Sequence, residues 1–269
     1  MPDRKYTIQP ILSKRGELPG TIMELLDYFK FRFNLPKRKL ATASIYQHLL
    51  KNRHGVEIGG PSTLFKTVLP VYQVIADLDN VNFSTETMWE GSLTEERPFN
   101  YYQKKHGRQF IAEATNLIPI KDDTYDFLLS SNCLEHIANP LKAVKEWIRV
   151  LKPDGYLLLV LPKKEIGFDH KRATTSFEHI LQDYTNEITE QDLTHLDEIL
   201  ALHDLSRDRR AVNYEKFKSR SLNNFQSRGL HHHVFDISLI EKMFDYCGID
   251  IIQYDVDKKN HYALGQIKK

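Results

Sequence analysis

The chain contains four short apolar segments, at residues 55–58, 71–79, 109–112 and 125–131. Polar residues that could hold a ligand lie at or just after the end of each segment. The residues at or just after the ends of these segments are Gly59, Gly60, Asp79, Glu113, Asn132 and Cys133. Glycine lets a ligand approach the backbone closely, and a carboxylate at Asp79, or alternatively at Asp77, can accept both hydroxyls of a ribose. Because the carboxyl ends of parallel strands meet at one edge of a sheet, these residues indicate a ligand crevice.

A second group of chemically capable residues lies in a histidine-rich block at residues 163–233, which holds seven of the twelve histidines. On a helix predicted over residues 189–202, Asp192 and His195 lie one turn apart, and His203 follows two turns later. These three residues are candidate ligands for a divalent metal, which would orient a diol and acidify a hydroxyl. The alternative is that the polar groups of the block hydrogen-bond one another and hold it together, since no spacing matches a standard zinc motif.

The elements that must position these residues are clearest between residues 113 and 162. Asn139 is suited to cap a helix, and Pro140 fits the first helical position. The apolar residues that follow recur with a period near 3.6, at Leu141, Val144, Trp147, Ile148 and Leu151. A turn at residues 152–155 ends this helix, and residues 156–161 form a continuous apolar run, as central parallel strands do.

This order of elements predicts an α/β fold with a seven-stranded, mostly parallel, doubly wound sheet. Residues 1–54 are expected to form an N-terminal helical arm, with helices near 21–33 and 40–50, that caps a cofactor or forms a homodimer face. Residues 55–162 would form the nucleotide-binding core, and residues 163–235 an insertion that covers the substrate. Residues 236–269 would complete the core with a helix capped by Asp236 and an antiparallel pair of strands.

Composition excludes several other classes of protein. The 37 Lys and Arg residues nearly balance the 36 Asp and Glu residues, and the insertion itself is mixed in charge, so no nucleic-acid partner is expected. No apolar run reaches the roughly 18 residues that a membrane helix requires. The two cysteines form no zinc or disulfide pattern, and residues 1–10 lack a signal-peptide core, so we expect a cytoplasmic protein with no membrane partner.

The ordered motifs resemble those of the class I S-adenosylmethionine-dependent methyltransferases, and most closely the small-molecule subgroup. They are E-I-G-G at residues 57–60, Asp79, E-A-T-N-L at 113–117, Y-D-F-L-L-S-S-N-C-L-E-H-I at 125–137 and L-K-P-D-G-Y-L-L-L-V-L-P at 151–162. The resemblance covers roughly residues 55–162. Glu113 stands where the family usually has Asp, and Gly60-Pro61-Ser62 replaces the usual alternation of glycines, which implies a changed loop shape.

The resemblance implies S-adenosylmethionine as the cofactor. By motif position, Glu57 and Gly59 would line its methionine end, Asp79 its ribose and Glu113 its adenine, while Asn132 and Cys133 would lie beside the sulfonium. The neighbouring residues Gly60, Asn80 and Ala114 complete the expected cofactor site.

We therefore expect methyl transfer to a small polar acceptor, such as a hydroxyl of a sugar, a glycan or a natural product. A hydroxyl needs a base, for which His136, His170 and His232 are the candidates. The alternatives are an NAD-dependent oxidoreductase and a ligand-binding protein of the same fold without catalysis. The incomplete glycine signature argues against the oxidoreductase.

Overall fold

The computed structural model describes residues 38–268, apart from Met88, Glu90, Arg209 and Val212. The strands in this part of the chain are β1 (His54–Ile58), β2 (Asp77–Asn82), β3 (Glu86–Thr87), β4 (Gly91–Ser92), β5 (Phe99–Tyr102), β6 (Lys105–Gly107), β7 (Gln109–Ile111), β8 (Tyr125–Ser131), β9 (Leu151–Pro162), β10 (Ile249–Val256) and β11 (Asn260–Ile267). The α-helices are α1 (Ala43–Leu50), α2 (Thr63–Thr67), α3 (Pro140–Val150), α4 (Phe177–Thr185), α5 (Leu196–Leu202), α6 (Tyr214–Leu222), α7 (Asn224–Ser227) and α8 (Ile237–Tyr246).

Seven of the described strands form one sheet in the order β10-β11-β9-β8-β1-β2-β7. Neighbouring strands from β7 to β9 pair in parallel, whereas β11 pairs antiparallel with both β9 and β10. The predicted seven-stranded, mostly parallel sheet is therefore confirmed. The strand order reverses between β1 and β8, and at such a switch point the diverging connections leave a crevice at the carboxyl edge.

Both faces of the sheet are buried, which explains the continuous apolar run in β9. Leu157, Leu159 and Leu161 point into one apolar layer, and Leu158 and Val160 point into the other. Successive side chains of a strand alternate between faces, so a strand covered on both sides needs apolar residues at every position.

Helix α3 begins as its sequence predicts and packs in the first of these layers. The Asn139 side chain accepts a hydrogen bond from the Lys142 backbone N–H at 3.0 Å, and Pro140 occupies the first turn. Trp147 is fully buried, and its Nε1–H donates to the carbonyl oxygen of Ala114 at 2.9 Å. Through this bond, α3 fixes the chain just after β7, next to the carboxyl edge of the sheet.

Two predicted elements differ in the structure. The apolar run at residues 71–75 is not part of a strand: Val71–Gln73 form a 3₁₀ turn, and β2 begins only at Asp77. Val71, Tyr72 and Ile75 are buried all the same, and a short apolar run does not by itself distinguish a strand from a buried turn.

The helix predicted over residues 189–202 begins only at Leu196. The Asp192 carboxylate accepts hydrogen bonds from the backbone N–H and the hydroxyl of Thr194, a local turn that competes with helix formation.

Helix α1 confirms the predicted helix near residues 40–50, while the helix predicted at 21–33 lies outside the described residues. Within the described part of the chain, no helix has the length and apolar character that crossing a bilayer requires.

Candidate active site

The loop after β1 is shaped by two buried polar side chains from the sheet. Glu57 accepts a hydrogen bond from the Ser62 backbone N–H at 3.1 Å and is also bonded to the Tyr72 hydroxyl. Asn80 accepts from the Gly60 backbone N–H at 2.9 Å. A Cβ atom on Gly60 would lie 2.4 Å from the Glu57 carboxyl carbon, so this position requires glycine. Glu57 and Asn80 therefore hold the loop in shape and do not line the cleft beside it.

A cleft with a cavity volume of about 200 Å³ opens at the carboxyl ends of β1, β2, β7 and β8. The residues of the predicted site that line it are Gly59, Glu113, Ala114, Asn132, Cys133 and His136. Gly59 has a φ of +77°, a conformation that glycine adopts at little cost. The cleft thus lies where the sequence places the crevice, with four of the nine predicted cofactor residues set back from its surface.

Asp79 is one of the residues set back, and the prediction that it contacts a ribose is wrong. It lies in the middle of β2, opposite Val56, because β2 continues to Asn82. The Asp79 carboxylate is buried and accepts hydrogen bonds from the Arg108 backbone N–H and the Tyr125 hydroxyl, both at 2.8 Å. Tyr125 begins β8, so this bond lies toward the amino edge of the sheet, away from the cleft.

Asn82 is the polar residue that β2 presents to the cleft. Its side chain is 4% exposed, and its Nδ2 atom has no hydrogen-bond partner among the described residues. A buried amide without a partner is uncommon, because leaving it unpaired costs about 1–3 kcal/mol. Sequence reasoning missed Asn82 because it ended the second strand three residues too early.

The insertion reaches the cleft through Arg228 and Glu190. The Arg228 guanidinium bonds both carboxylate oxygens of Glu113, at 2.6 and 3.3 Å, and lies 3.2 Å from Glu190. It also lies over the Phe83 ring at 4.8 Å. Glu113 is therefore engaged by an arginine from a segment 115 residues away, a contact that no local pattern in the sequence indicates.

Cys133 lies beside Gly59. Its Sγ atom is 3.4 Å from the position that a Cβ on Gly59 would occupy. Burial raises the pKa of its thiol to about 12. The thiol is consequently neutral at physiological pH and forms part of the wall rather than a nucleophile.

His136 lies between the cleft and a smaller adjoining hollow, and it lines both together with Trp89. Its Nδ1 lies 2.9 Å from the carbonyl oxygen of Leu230, so Nδ1 carries the proton and Nε2 is the free acceptor. Burial, followed by the neighbouring His231, lowers the pKa of His136 well below its usual value. The Arg210 guanidinium lies 4.1 Å from the Trp89 ring centroid and forms the far wall of the hollow.

His231 lines the same hollow and is held by a carboxylate. Its Nδ1 lies 2.5 Å from Asp169 Oδ2, and Arg172 bonds the other oxygen of Asp169 at 3.1 Å. Burial opposes a charge on His231, but Asp169 outweighs it and raises the histidine pKa. The rings of His231 and His136 are 4.5 Å apart. A carboxylate that fixes one ring nitrogen and leaves the other free is the arrangement of a general base.

The other two predicted bases do not line the cleft. His170 bonds Asp204 at 2.9 Å on the insertion surface, and His232 is buried against the Asn224 amide at 3.0 Å. His170 and His232 were predicted as bases because they lie in histidine-rich stretches. The sequence of such a stretch does not indicate which imidazole ring faces a cavity. Of the adjacent histidines 231–233, it is His231 that lines the hollow.

The three predicted metal ligands do not converge either. Asp192 bonds Thr194, and His203 bonds Asp208 at 3.1 Å between the rings of Phe168 and Phe217. The reason is that residues 189–195 are not helical, so the spacing of Asp192 and His195 does not place them on one face. His195 instead meets other histidines at a separate place in the insertion.

Comparison with known proteins agrees with the fold. A family profile described as a methyltransferase domain matches residues 91–159. The solved structure of a SAM-dependent methyltransferase from Methanosarcina mazei superposes with a TM-score of 0.50 at 18% identity, over 86% of this chain and 99% of that one.

Two curated proteins match over shorter segments. An uncharacterised protein of Methanocaldococcus jannaschii is 46% identical over 48 residues, which are 18% of this chain and 21% of that protein. Norajmaline N-methyltransferase of Rauvolfia serpentina is 30% identical over 73 residues, which are 27% of this chain and 23% of that enzyme. The matches thus span between a fifth and a quarter of each relative.

The sheet order is that of the class I methyltransferase fold, and residues 91–159 are similar to a methyltransferase domain. Methyltransferases of that class use S-adenosylmethionine as their cofactor.

Proposed function

We propose that the protein transfers a methyl group from S-adenosylmethionine to a hydroxyl of a small polar acceptor, and that the acceptor enters the hollow lined by Trp89, Arg210 and His231. The observation that carries this proposal is the His231–Asp169 pair, which lies beside His136 where the hollow adjoins the cleft. The proposal rests on the chemistry of these side chains, since the curated relatives match over only short segments.

The cleft fits S-adenosylmethionine by two features of its walls. The unpartnered Nδ2–H of Asn82 is suited to donate to a ribose hydroxyl, and the open backbone at Gly59 leaves room for the methionine part. Glu113 and Ala114 lie on the side where the adenine would bind, with Arg228 closing that end. When bound, this cofactor supplies an electrophilic methyl group on a sulfonium.

The protein's own contribution is to orient the acceptor, exclude water and take its proton. The Arg210 guanidinium, which stacks on the Trp89 ring, offers hydrogen-bond donors to a hydroxylated acceptor. His231 accepts the hydroxyl proton at Nε2, while Asp169 holds Nδ1 and so acts as a positioning residue. His136 lines both the cleft and the hollow, beside the junction where the acceptor hydroxyl would meet the methyl group.

The test combines calorimetry with S-adenosylmethionine and an assay of S-adenosylhomocysteine release over a panel of sugars, other small polyols and matched amines. We expect cofactor binding, turnover with a hydroxyl acceptor, and a kcat about 10²–10⁴-fold lower in His231→Asn. Asp169→Asn should lower kcat with little change in KM. The matched control is His170→Asn, another histidine of the insertion bonded to a carboxylate, which should leave both constants unchanged.

Two outcomes would overturn the proposal. Cofactor binding without turnover of any acceptor would indicate a ligand-binding protein of this fold. Turnover of amines alone, at a rate independent of His231, would show that the acceptor needs no base.

A further inference from the structure

Four potential metal ligands converge in the insertion, apart from the cleft. His179 and Asp183 lie one turn apart on α4, His195 immediately precedes α5, and His233 lies in the extended segment before α8. One ligand atom from each lies within 4.8 Å of all the others. Sequence reasoning identified only His195 of these four, because the others come from segments that meet only in the folded chain.

The distances between the ligand atoms match a tetrahedral zinc ion. His179 Nε2 lies 3.0 Å from His195 Nε2 and 3.5 Å from Asp183 Oδ2, and His233 Nε2 lies 3.4 Å from Asp183 Oδ2. Zinc bonds of about 2.0–2.1 Å in a tetrahedron place neighbouring ligand atoms about 3.3–3.4 Å apart. These three of the six separations bracket that value, and the other three are at most 4.8 Å.

A buried atom without a partner points to a ligand at this place. Asp183 Oδ2 is buried and has no hydrogen-bond partner among the described residues, although three imidazole rings surround it. Leaving a buried carboxylate oxygen uncompensated is costly, and a divalent cation would supply the missing charge.

We infer that His179, Asp183, His195 and His233 form a structural zinc site that fastens the insertion together and to the core. Four protein ligands fill a tetrahedron and leave no position for a substrate, as in structural rather than catalytic sites. Imidazole and carboxylate ligands in this geometry suit zinc better than magnesium or calcium, which prefer more oxygen ligands.

The core contact is at the start of α3. The Asn139 amide donates to the carbonyl oxygen of Asp183 in α4 at 3.0 Å. The site thus joins the helix α4, the start of α5 and the 231–235 segment to the strand-helix connection after β8. Because such a site forms only in the folded chain, its binding free energy stabilises the insertion.

The experiment uses the protein without an affinity tag, and its readouts are independent of the methyl-transfer proposal. Elemental analysis should give about one zinc per chain. Removal of zinc by a chelator should lower the melting temperature, and added zinc should restore it. Cobalt added to the metal-free protein should give the visible absorption of a tetrahedral site.

Variants separate coordination from a loss of packing. His195→Ala should lose the metal, whereas His195→Cys keeps a zinc ligand and should retain it. Asp183→Asn preserves the side-chain shape and should lower zinc affinity at least about 10-fold, so it remains informative if the alanine variant does not fold. The control is His203→Ala, another histidine of the insertion, which should bind zinc fully.

Wild-type protein that contains no zinc, and whose metal-free form neither binds nor is stabilised by added zinc, would overturn the inference. Equal zinc content in His195→Ala and His203→Ala would do the same.

Discussion

Replacing Tyr125 by Phe tests whether Asp79 supports the fold or binds the cofactor. The substitution removes only the hydroxyl that donates to Asp79 Oδ2 at 2.8 Å, at a site where both residues are buried. A hydrogen bond to a charged group contributes about 1.5–3 kcal/mol, so we expect a loss of about 2 kcal/mol in the free energy of unfolding. For a chain of this size, that corresponds to a fall in melting temperature of roughly 4–8 °C.

The affinity for S-adenosylmethionine should stay unchanged in the Tyr125→Phe variant, because the Asp79–Tyr125 bond lies away from the cleft. Asn82→Ala is the matched comparison, since it removes the amide that β2 presents to the cleft. It should weaken cofactor binding about 10-fold, or 1.4 kcal/mol, with a small effect on stability. Urea unfolding and calorimetry measure both quantities. A Tyr125→Phe protein of normal stability that binds the cofactor 10-fold more weakly would refute this role for Asp79.

Two further predictions concern stability. Gly60→Ala should destabilise the protein by about 1–3 kcal/mol, because its Cβ meets the Glu57 carboxyl group, while Gly167→Ala, which meets no atom closer than 3.6 Å, should have little effect in the same thermal denaturation. Equal melting temperatures for the two variants would contradict this steric argument. Burial opposes the charge on Asp208, but hydrogen bonds from His203 and Arg220 outweigh it and hold the Asp208 pKa below its ordinary value. A depressed carboxylate pKa stabilises the fold above the unfolded value of about 3.9 and loses that contribution as the pH falls, so Asp208→Asn should be less stable than wild type by about 2 kcal/mol at pH 7 and by less at pH 3.5 in urea unfolding. A difference between the two proteins that does not change with pH would count against this role of Asp208.

Much of the fold could be predicted because its signals are local. The Asn139 cap, the apolar period of α3 and the continuous apolar run of β9 each report the environment of a few adjacent residues. The prediction of a strand at residues 71–75 was wrong for the same reason. A turn that packs against the sheet and a strand within the sheet are both buried, so both contain apolar side chains. A shift of three residues at the end of β2 then moved the expected ribose contact from Asn82 to Asp79.

The cofactor side of the candidate site was partly predictable, and the acceptor side was not. Gly59, Asn132 and Cys133 follow their strands directly, so strand ends locate them at the cleft. Arg228 and His231 reach their partners Glu113 and Asp169 across 115 and 62 residues, and Glu190 likewise comes to the cleft from the insertion. The spacing of residues along an irregular segment does not indicate which of its histidines faces a cavity.

The contacts that complete the cleft also bear on how the chain folds and opens. Arg228 with Glu113 and Leu230 with His136 close loops of 115 and 94 residues, whereas strands β8 and β9 are joined by a single helix. Contacts that close long loops form late in folding. Closing such a loop costs conformational entropy before the contact itself contributes any stabilising free energy. The insertion should therefore detach in a partial opening that leaves the sheet intact, and its amide protons should exchange with solvent faster than those of β8. Ligands that bridge the insertion and the sheet would slow that exchange in proportion to how tightly they bind.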